Sequence, residues 1–135
     1  MSHTLEIEIL LPATPTQVMP MLTEQKQMEI WSGEEVVFEA KEGGQVELFG
    51  GWVRGEVKSI QAHELSYTWR AADWSEETAD SLVQFKLKES GAQSLLVLKH
   101  SNLPDEEEVK SQKTAWFDFF FTPLEDYLMI RYNAE

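Results

Sequence analysis

Residues 94–108 read Ser94-Leu95-Leu96-Val97-Leu98-Lys99-His100-Ser101-Asn102-Leu103-Pro104-Asp105-Glu106-Glu107-Glu108, and within them the chain changes its period. Up to Ser101 the side chains alternate as in a half-buried strand, Leu96 and Leu98 sharing one face with His100. After Leu103 and Pro104, four carboxylates, Asp105 to Glu108, stand where the dipole of a helix N-terminus favours negative charge. Val109, Trp116, Phe120, Leu124 and Tyr127 then follow at helical spacing. A last strand therefore runs into a long amphipathic C-terminal helix. Pro123 interrupts its pattern, because an interior proline loses a ladder bond and clashes with the preceding turn at a cost of about 3 kcal/mol. Either the helix kinks there or two helices meet.

Upstream of residue 94 the alternating pattern recurs. Leu5, Ile7 and Ile9 alternate with Glu6 and Glu8 in a first strand. Thr14, Pro15 and Gln17 supply an N-cap, a first-turn proline and a capping-box partner, which points Val18 and Leu22 inward, while Pro20 is expected to shorten or bend the helix they begin. Thr23 is the expected cap of a second short helix through Met28, Ile30, Trp31 and Ser32, stopped by Gly33. A meander follows, with strands expected at Val36 to Ala40, Gln45 to Phe49, Val53 to Ile60, Leu65 to Arg70, Ser81 to Lys88 and Ser94 to Ser101. Gly43 and Gly44, Gly50 and Gly51, and Gly91 sit where hairpins need positive φ. The acidic stretch from Ala71 to Asp80, with Asp73, Glu76 and Glu77, reads as a long hairpin loop rather than a linker. There is no repeat of solenoid period and no low-complexity tract. The expected fold is α+β: one domain over residues 1–135, a seven-stranded curved antiparallel sheet around a long C-terminal helix, with two short helices after strand one.

At 135 residues such a domain buries roughly two-thirds of its unfolded surface, enough for a core without staples. The absence of cysteine rules out disulfides, thiolate zinc sites and a cysteine nucleophile, and suits a reducing cytoplasm, the expected location. With no secretory start and no apolar run of membrane-spanning length, membrane insertion is not expected. Twenty-four Asp and Glu against 11 Lys and Arg give a net charge of -13, which repels phosphate backbones and anionic lipid; nucleic acid is not an expected partner.

Particular words in this order resemble one family. Ala13-Thr14-Pro15 with Val18 and Leu22-Thr23, Trp31 closing the second helix, Gly43-Gly44 before a strand, Gly55-Glu56-Val57, Glu64-Leu65-Ser66-Tyr67-Thr68-Trp69, Leu96 to Ser101, and Trp116 ahead of Leu124 look like the C-terminal domain of the activator of heat-shock-protein-ninety ATPase. That domain is a START-like relative of the birch-pollen-allergen and polyketide-cyclase-like proteins. Met19, where the family often has an aromatic, Pro20, and the bulky Phe119-Phe120-Phe121 with Pro123 depart from its pattern. The resemblance implies a helix-grip fold with a cavity between the concave sheet face and the last helix.

Alternation assigns Val53, Leu65, Tyr67, Trp69, Val83, Phe85, Leu96 and Leu98 to that concave face, and helical spacing adds Trp116, Phe120, Leu124 and Tyr127. From these, the expected ligand contacts are Val53, Tyr67, Trp69, Phe85, Leu98, His100, Trp116, Phe120 and Tyr127, joined by Trp31 and Phe49. The competing reading is that the same aromatics simply pack as core. His100, expected near the rim, is either the polar group of the site or a strand-end histidine held by hydrogen bonds. If the chain is an enzyme, His100, Tyr67 and Tyr127 are the acid-base candidates. His3 and His63 join no ligand cluster, so no metal is expected, and no cofactor. No nucleophile elbow, phosphate loop, dinucleotide fingerprint or zinc-protease motif appears. The carboxylate pairs Glu34-Glu35 and Glu76-Glu77 lie in solvated loops, and Arg54 with Glu56 is expected to form a charge pair on the wet face.

The expected function is binding of a small hydrophobic ligand between sheet and C-terminal helix; the first alternative is chaperone-linked interaction, as the resemblance implies, and the second is polyketide-cyclase-like or other catalysis on a hydrophobic substrate. For the first alternative, the co-chaperone it resembles carries a separate N-terminal domain for which 135 residues leave no expected room. The chain is expected to be a monomer, or a homodimer through sheet edges against the repulsion of its charge.

Overall fold

Strand β1, His3–Leu11, keeps Leu5, Ile7 and Leu11 buried and turns Glu6 and Glu8 to solvent, as its alternation requires. The coordinates are a computed structural model that describes residues 2–132; the outer ends of the expected 1–135 domain lie outside the described residues. Helix α1, Pro15–Thr23, is capped as the sequence implies: Thr14 Oγ1 accepts from the Gln17 N–H at 3.3 Å, and Gln17 Oε1 accepts from the Thr14 N–H at 2.9 Å. The helix passes through Pro20 and continues to Thr23.

Helix α2, Gln25–Ser32, has Glu24 as its N-cap rather than Thr23. The Thr23 hydroxyl is spent on its own helix, donating to the Met19 carbonyl at 2.9 Å, the back-bond that competes with capping. Gly33 ends α2 in the left-handed region, φ 72, with its N–H on the Glu29 carbonyl.

The remaining strands are β2 (Val37–Phe38), β3 (Gln45–Leu48), β4 (Val53–Ile60), β5 (Glu64–Ala71), β6 (Ser81–Ser90) and β7 (Gln93–Leu103). All neighbours are antiparallel, in a curved seven-stranded sheet of order β1-β7-β6-β5-β4-β3-β2. Two expected strands shrink. β2 keeps only two residues of Val36 to Ala40 because it is the edge: the Val36 and Phe38 N–H groups donate to Glu29 Oε2 and Gln25 Oε1 of α2, both at 3.1 Å. That side-chain cover blunts the edge against further pairing. β3 stops one residue early because Phe49 leaves the sheet with φ 55. Positive φ occurs at Gly43, Gly50, Gly51 and Gly91 but not at Gly44. Gly44 is there for room instead, since a Cβ would lie 2.0 Å from the Glu39 carbonyl oxygen.

The loop between β5 and β6 is built on Arg70, whose guanidinium donates to the Ser75 and Thr78 carbonyls and meets Asp80 Oδ1 at 3.2 Å. Glu56 pairs with Lys58 at 3.7 Å rather than with Arg54; strand neighbours two apart share a face, and the lysine is the one whose ammonium reaches.

The C-terminal helix neither stops nor splits at Pro123. Helix α3, Glu106–Ala115, runs into a π-helical turn, Trp116–Phe121, and on into α4, Thr122–Tyr132. The Thr122 N–H bonds the Phe117 carbonyl, five residues back. The ladder widens immediately before the proline, where the ring clashes with the carbonyl four back and no N–H is available to bond it. Asp105 caps α3, its side chain accepting from the Glu108 N–H at 2.8 Å. Among the described residues no helix is long and apolar enough to cross a membrane.

Candidate functional site

The concave face and the C-terminal helix meet through rings. Trp116 in the π turn lies 4.6 Å from Trp69 of β5, 5.7 Å from Phe85 of β6 and 4.9 Å from Phe120, centroid to centroid. Trp31 of α2 closes the group against Phe120 at 4.9 Å. Phe121 stacks on Trp116 at 5.4 Å, a contact that a uniform helix repeat does not anticipate and the π turn creates. Val53, Trp69, Phe85, Leu98, Trp116 and Phe120 are all buried, together with Leu65, Val83, Leu96 and Leu124. At the α2 edge of this interior lies a small crevice of about 10 Å³, lined by Met28, Trp31, Ser32, Val36, Leu48, Phe49 and Phe120, about the space of one water molecule.

His100 is not at a rim: it is fully buried in this interior, because β7 continues past it to Leu103 and the π turn covers it. Trp116 Nε1–H donates to His100 Nδ1 at 3.0 Å, the ring's Nε2 lies 2.7 Å from Ser81 Oγ, and Ser81 Oγ–H donates to the Trp69 carbonyl at 2.7 Å. An indole can only donate, so Nδ1 carries no proton. The proton sits on Nε2 and is given to Ser81, whose own hydrogen goes to Trp69. The chain of donors thus selects one neutral tautomer and ties the helix to two strands. Burial pushes the imidazole pKa down to about 3. Neither ring nitrogen is free to exchange a proton with a substrate. Ser81 was not among the expected site residues; its only signal was a polar side chain at an inward position of β6, ahead of Val83 and Phe85.

Because the folded pKa lies below the ~6.5 of a free histidine, the unfolded chain takes up its proton first as pH falls. The stability due to neutral His100 is full above about pH 6.5 and drains between there and the folded value at about 1.4 kcal/mol per pH unit. The stability deficit of His100→Gln relative to the natural chain, measured by urea denaturation, should therefore narrow from about pH 7 to about pH 4. A deficit constant across that range would contradict the assignment.

Tyr67 and Trp69 are 1% exposed, and neither Tyr67 Oη nor Trp69 Nε1 has a hydrogen-bond partner. Burial raises the Tyr67 phenol pKa far above its ordinary value, which removes it as a base. Tyr127 does not face the interior. It is half-buried, its hydroxyl donating to Gln27 Oε1 of α2 at 3.4 Å and accepting from Arg131 at 3.1 Å, because the widened turn before α4 rotates residue 127 towards α2 and leaves Leu124 and Leu128 inside. His100, Tyr67 and Tyr127 share no hydrogen bond. Phe49 is half-buried, on the crevice edge. Among the described residues no group of three or more His, Asp or Glu is gathered as a metal site.

A family model described as activator of Hsp90 ATPase homolog 1-like protein matches residues 12–129. No curated protein matches the chain in sequence. Among solved structures it is similar to an HSP90 activator from Plasmodium falciparum, with 24% identity over 93% of this chain and 95% of that one and a TM-score of 0.83. It is also similar to Ara h 8.0201, with 15% identity, 96% and 99% covered and a TM-score of 0.78. A third is the Aha1 dimer from Colwellia psychrerythraea, with 18% identity, 93% and 96% covered and a TM-score of 0.75. At these identities the likeness is one of fold, the helix-grip fold of START-like domains.

Proposed function

The chain belongs to the activator of Hsp90 ATPase homolog 1-like family, and from that premise we propose that it is a noncatalytic module that docks on a protein partner of the Hsp90 chaperone kind. One observation supports this over the other readings: between sheet and helix Trp69, Phe85, Trp116 and Phe120 are each 2% exposed or less and pack ring on ring, and the crevice beside Phe120 offers only about 10 Å³, far below the roughly 300 Å³ and upward of small-molecule sites. Catalysis has less support still, since both nitrogens of His100 are engaged. Adding the purified chain to a purified Hsp90-type chaperone should raise its ATPase rate saturably. No rate change and no complex by calorimetry would remove the reading.

A second reading, capture of a small hydrophobic molecule, is favoured by the two orphaned polar tips. Tyr67 Oη and Trp69 Nε1 are buried without partners, and such groups cost about 1–3 kcal/mol each. A ligand with an apolar body and one oxygen acceptor would satisfy them once the rings parted to admit it. Its signature is a compound that stabilises the natural chain and does so less in Tyr67→Phe.

A further inference from the structure

The Phe49-Gly50-Gly51 turn between β3 and β4 has three consecutive residues at positive φ, 55, 67 and 92. Two are glycines, which adopt it freely; Phe49 is not, and a bulky side chain there is strained backbone. Strain of this kind persists only where surroundings hold it and gathers at sites that do something. The ring it presents is half-buried and meets Phe119 at 6.3 Å. Phe119 is 59% exposed, held out by the π turn, a helical irregularity that itself recurs at functional sites.

The surface beside this ring pair is charged. An open depression of about 270 Å³ runs from Gly50 and Gly51 to Val36 and is lined by Glu29, Glu35 and Glu47. It shares Val36 with the small apolar crevice beside Phe49. Glu29 and Glu47 each spend one oxygen on a neighbour, the Val36 N–H and the Gln45 amide, and Arg54, in register opposite Glu47, offsets part of the charge. The whole chain adds a net charge of -13.

We propose that the surface made by the Phe49–Phe119 ring pair and the adjoining groove lined by Glu29, Glu35 and Glu47 receives a short basic segment of a partner protein bearing one large apolar side chain. The assignment rests on the reading that this module docks protein, and it names the face and the chemistry. The apolar side chain sits on exposed Phe119 and half-buried Phe49, the aromatic anchoring typical of interface hot spots. Its flanking Lys or Arg meet the carboxylates, which set orientation and speed encounter.

The test needs no chaperone. The blocked peptide Lys-Lys-Ser-Phe-Ser-Lys-Lys is titrated into the full chain and followed by amide NMR. Saturable shifts should cluster at Phe49, Gly50, Gly51 and Phe119, and peptides with Ser for Phe, or Glu for Lys, should bind at least about tenfold more weakly. Phe119→Ala, an exposed position, should leave the spectrum folded and weaken the parent peptide by at least about tenfold. Shifts elsewhere, equal binding of the acidic peptide, or a chain that pairs with itself through Phe119 and takes no peptide would each overturn the assignment. A chaperone bound through another face sinks the groove and spares the proposed function; a peptide seated in the groove of a chain that ignores the chaperone does the reverse.

Discussion

Trp116→Ala should cost the fold about 5 kcal/mol. The indole is 1% exposed and touches Trp69, Phe85, Phe120 and Phe121, and truncating a core aromatic of that kind costs about 3–5 kcal/mol. Its N–H is also the donor that satisfies His100 Nδ1, and an orphaned buried acceptor adds about 1–3 kcal/mol. The two terms overlap, because an opened cavity lets the imidazole relax, so they do not sum fully. Trp116→Phe separates them: it keeps most of the ring contact, loses the hydrogen bond and should cost about 1–3 kcal/mol. Urea denaturation of both variants decides the matter. A loss below about 2 kcal/mol for the alanine would mean that the C-terminal helix is not held by this residue.

Gly55→Ala should be nearly as damaging, by about 3 kcal/mol or more. A Cβ at Gly55 would fall 1.8 Å from the Thr68 carbonyl oxygen and 3.1 Å from its hydroxyl, and that hydroxyl accepts the Glu56 N–H at 2.9 Å. The clash is with backbone, so β4 must part from β5. Val57 and Tyr67, paired across those strands, would lose contact next to the aromatic interior. Gly91→Ala is the control. It has φ 62 and open space around the added atom, so only backbone strain of about 1–2 kcal/mol is expected. Thermal melts that rank Gly91→Ala as the more harmful of the two would contradict the close-approach account.

The contrast between these two glycines shows what could be read in the chain and what could not. Turn glycines announce themselves by position between alternating runs, and the Thr14 cap and the Gly33 stop do the same for α1 and α2; these are local rules, satisfied by neighbours in sequence. Gly55 looks like an ordinary residue of a strand until Thr68 is brought against it. The shortness of β2 depends on side chains of α2 reaching the edge of the sheet. The π turn answers Pro123, which was visible, but its form also fits Trp116, Phe120 and Phe121 into one interior, which was not. His100 was recognised as inward, yet Ser81 and Trp116, the partners that fix its proton, lie 19 and 16 residues away. Whether the concave face was open or filled was a question of volume, and alternation reports only direction.

That question carries the functional account, and a thermal-shift series addresses it most directly. The purified chain is melted with fatty acids, sterols, flavonoids and polyketide-like aromatics, each at a concentration where a ligand at a hundred times its Kd would add about 2.7 kcal/mol. A filled interior predicts an unchanged melting temperature throughout, alongside a saturable complex with an Hsp90-type chaperone. A rise of several degrees for one chemical class, diminished in Tyr67→Phe, would show that the aromatic interior opens and that the module is a ligand carrier instead.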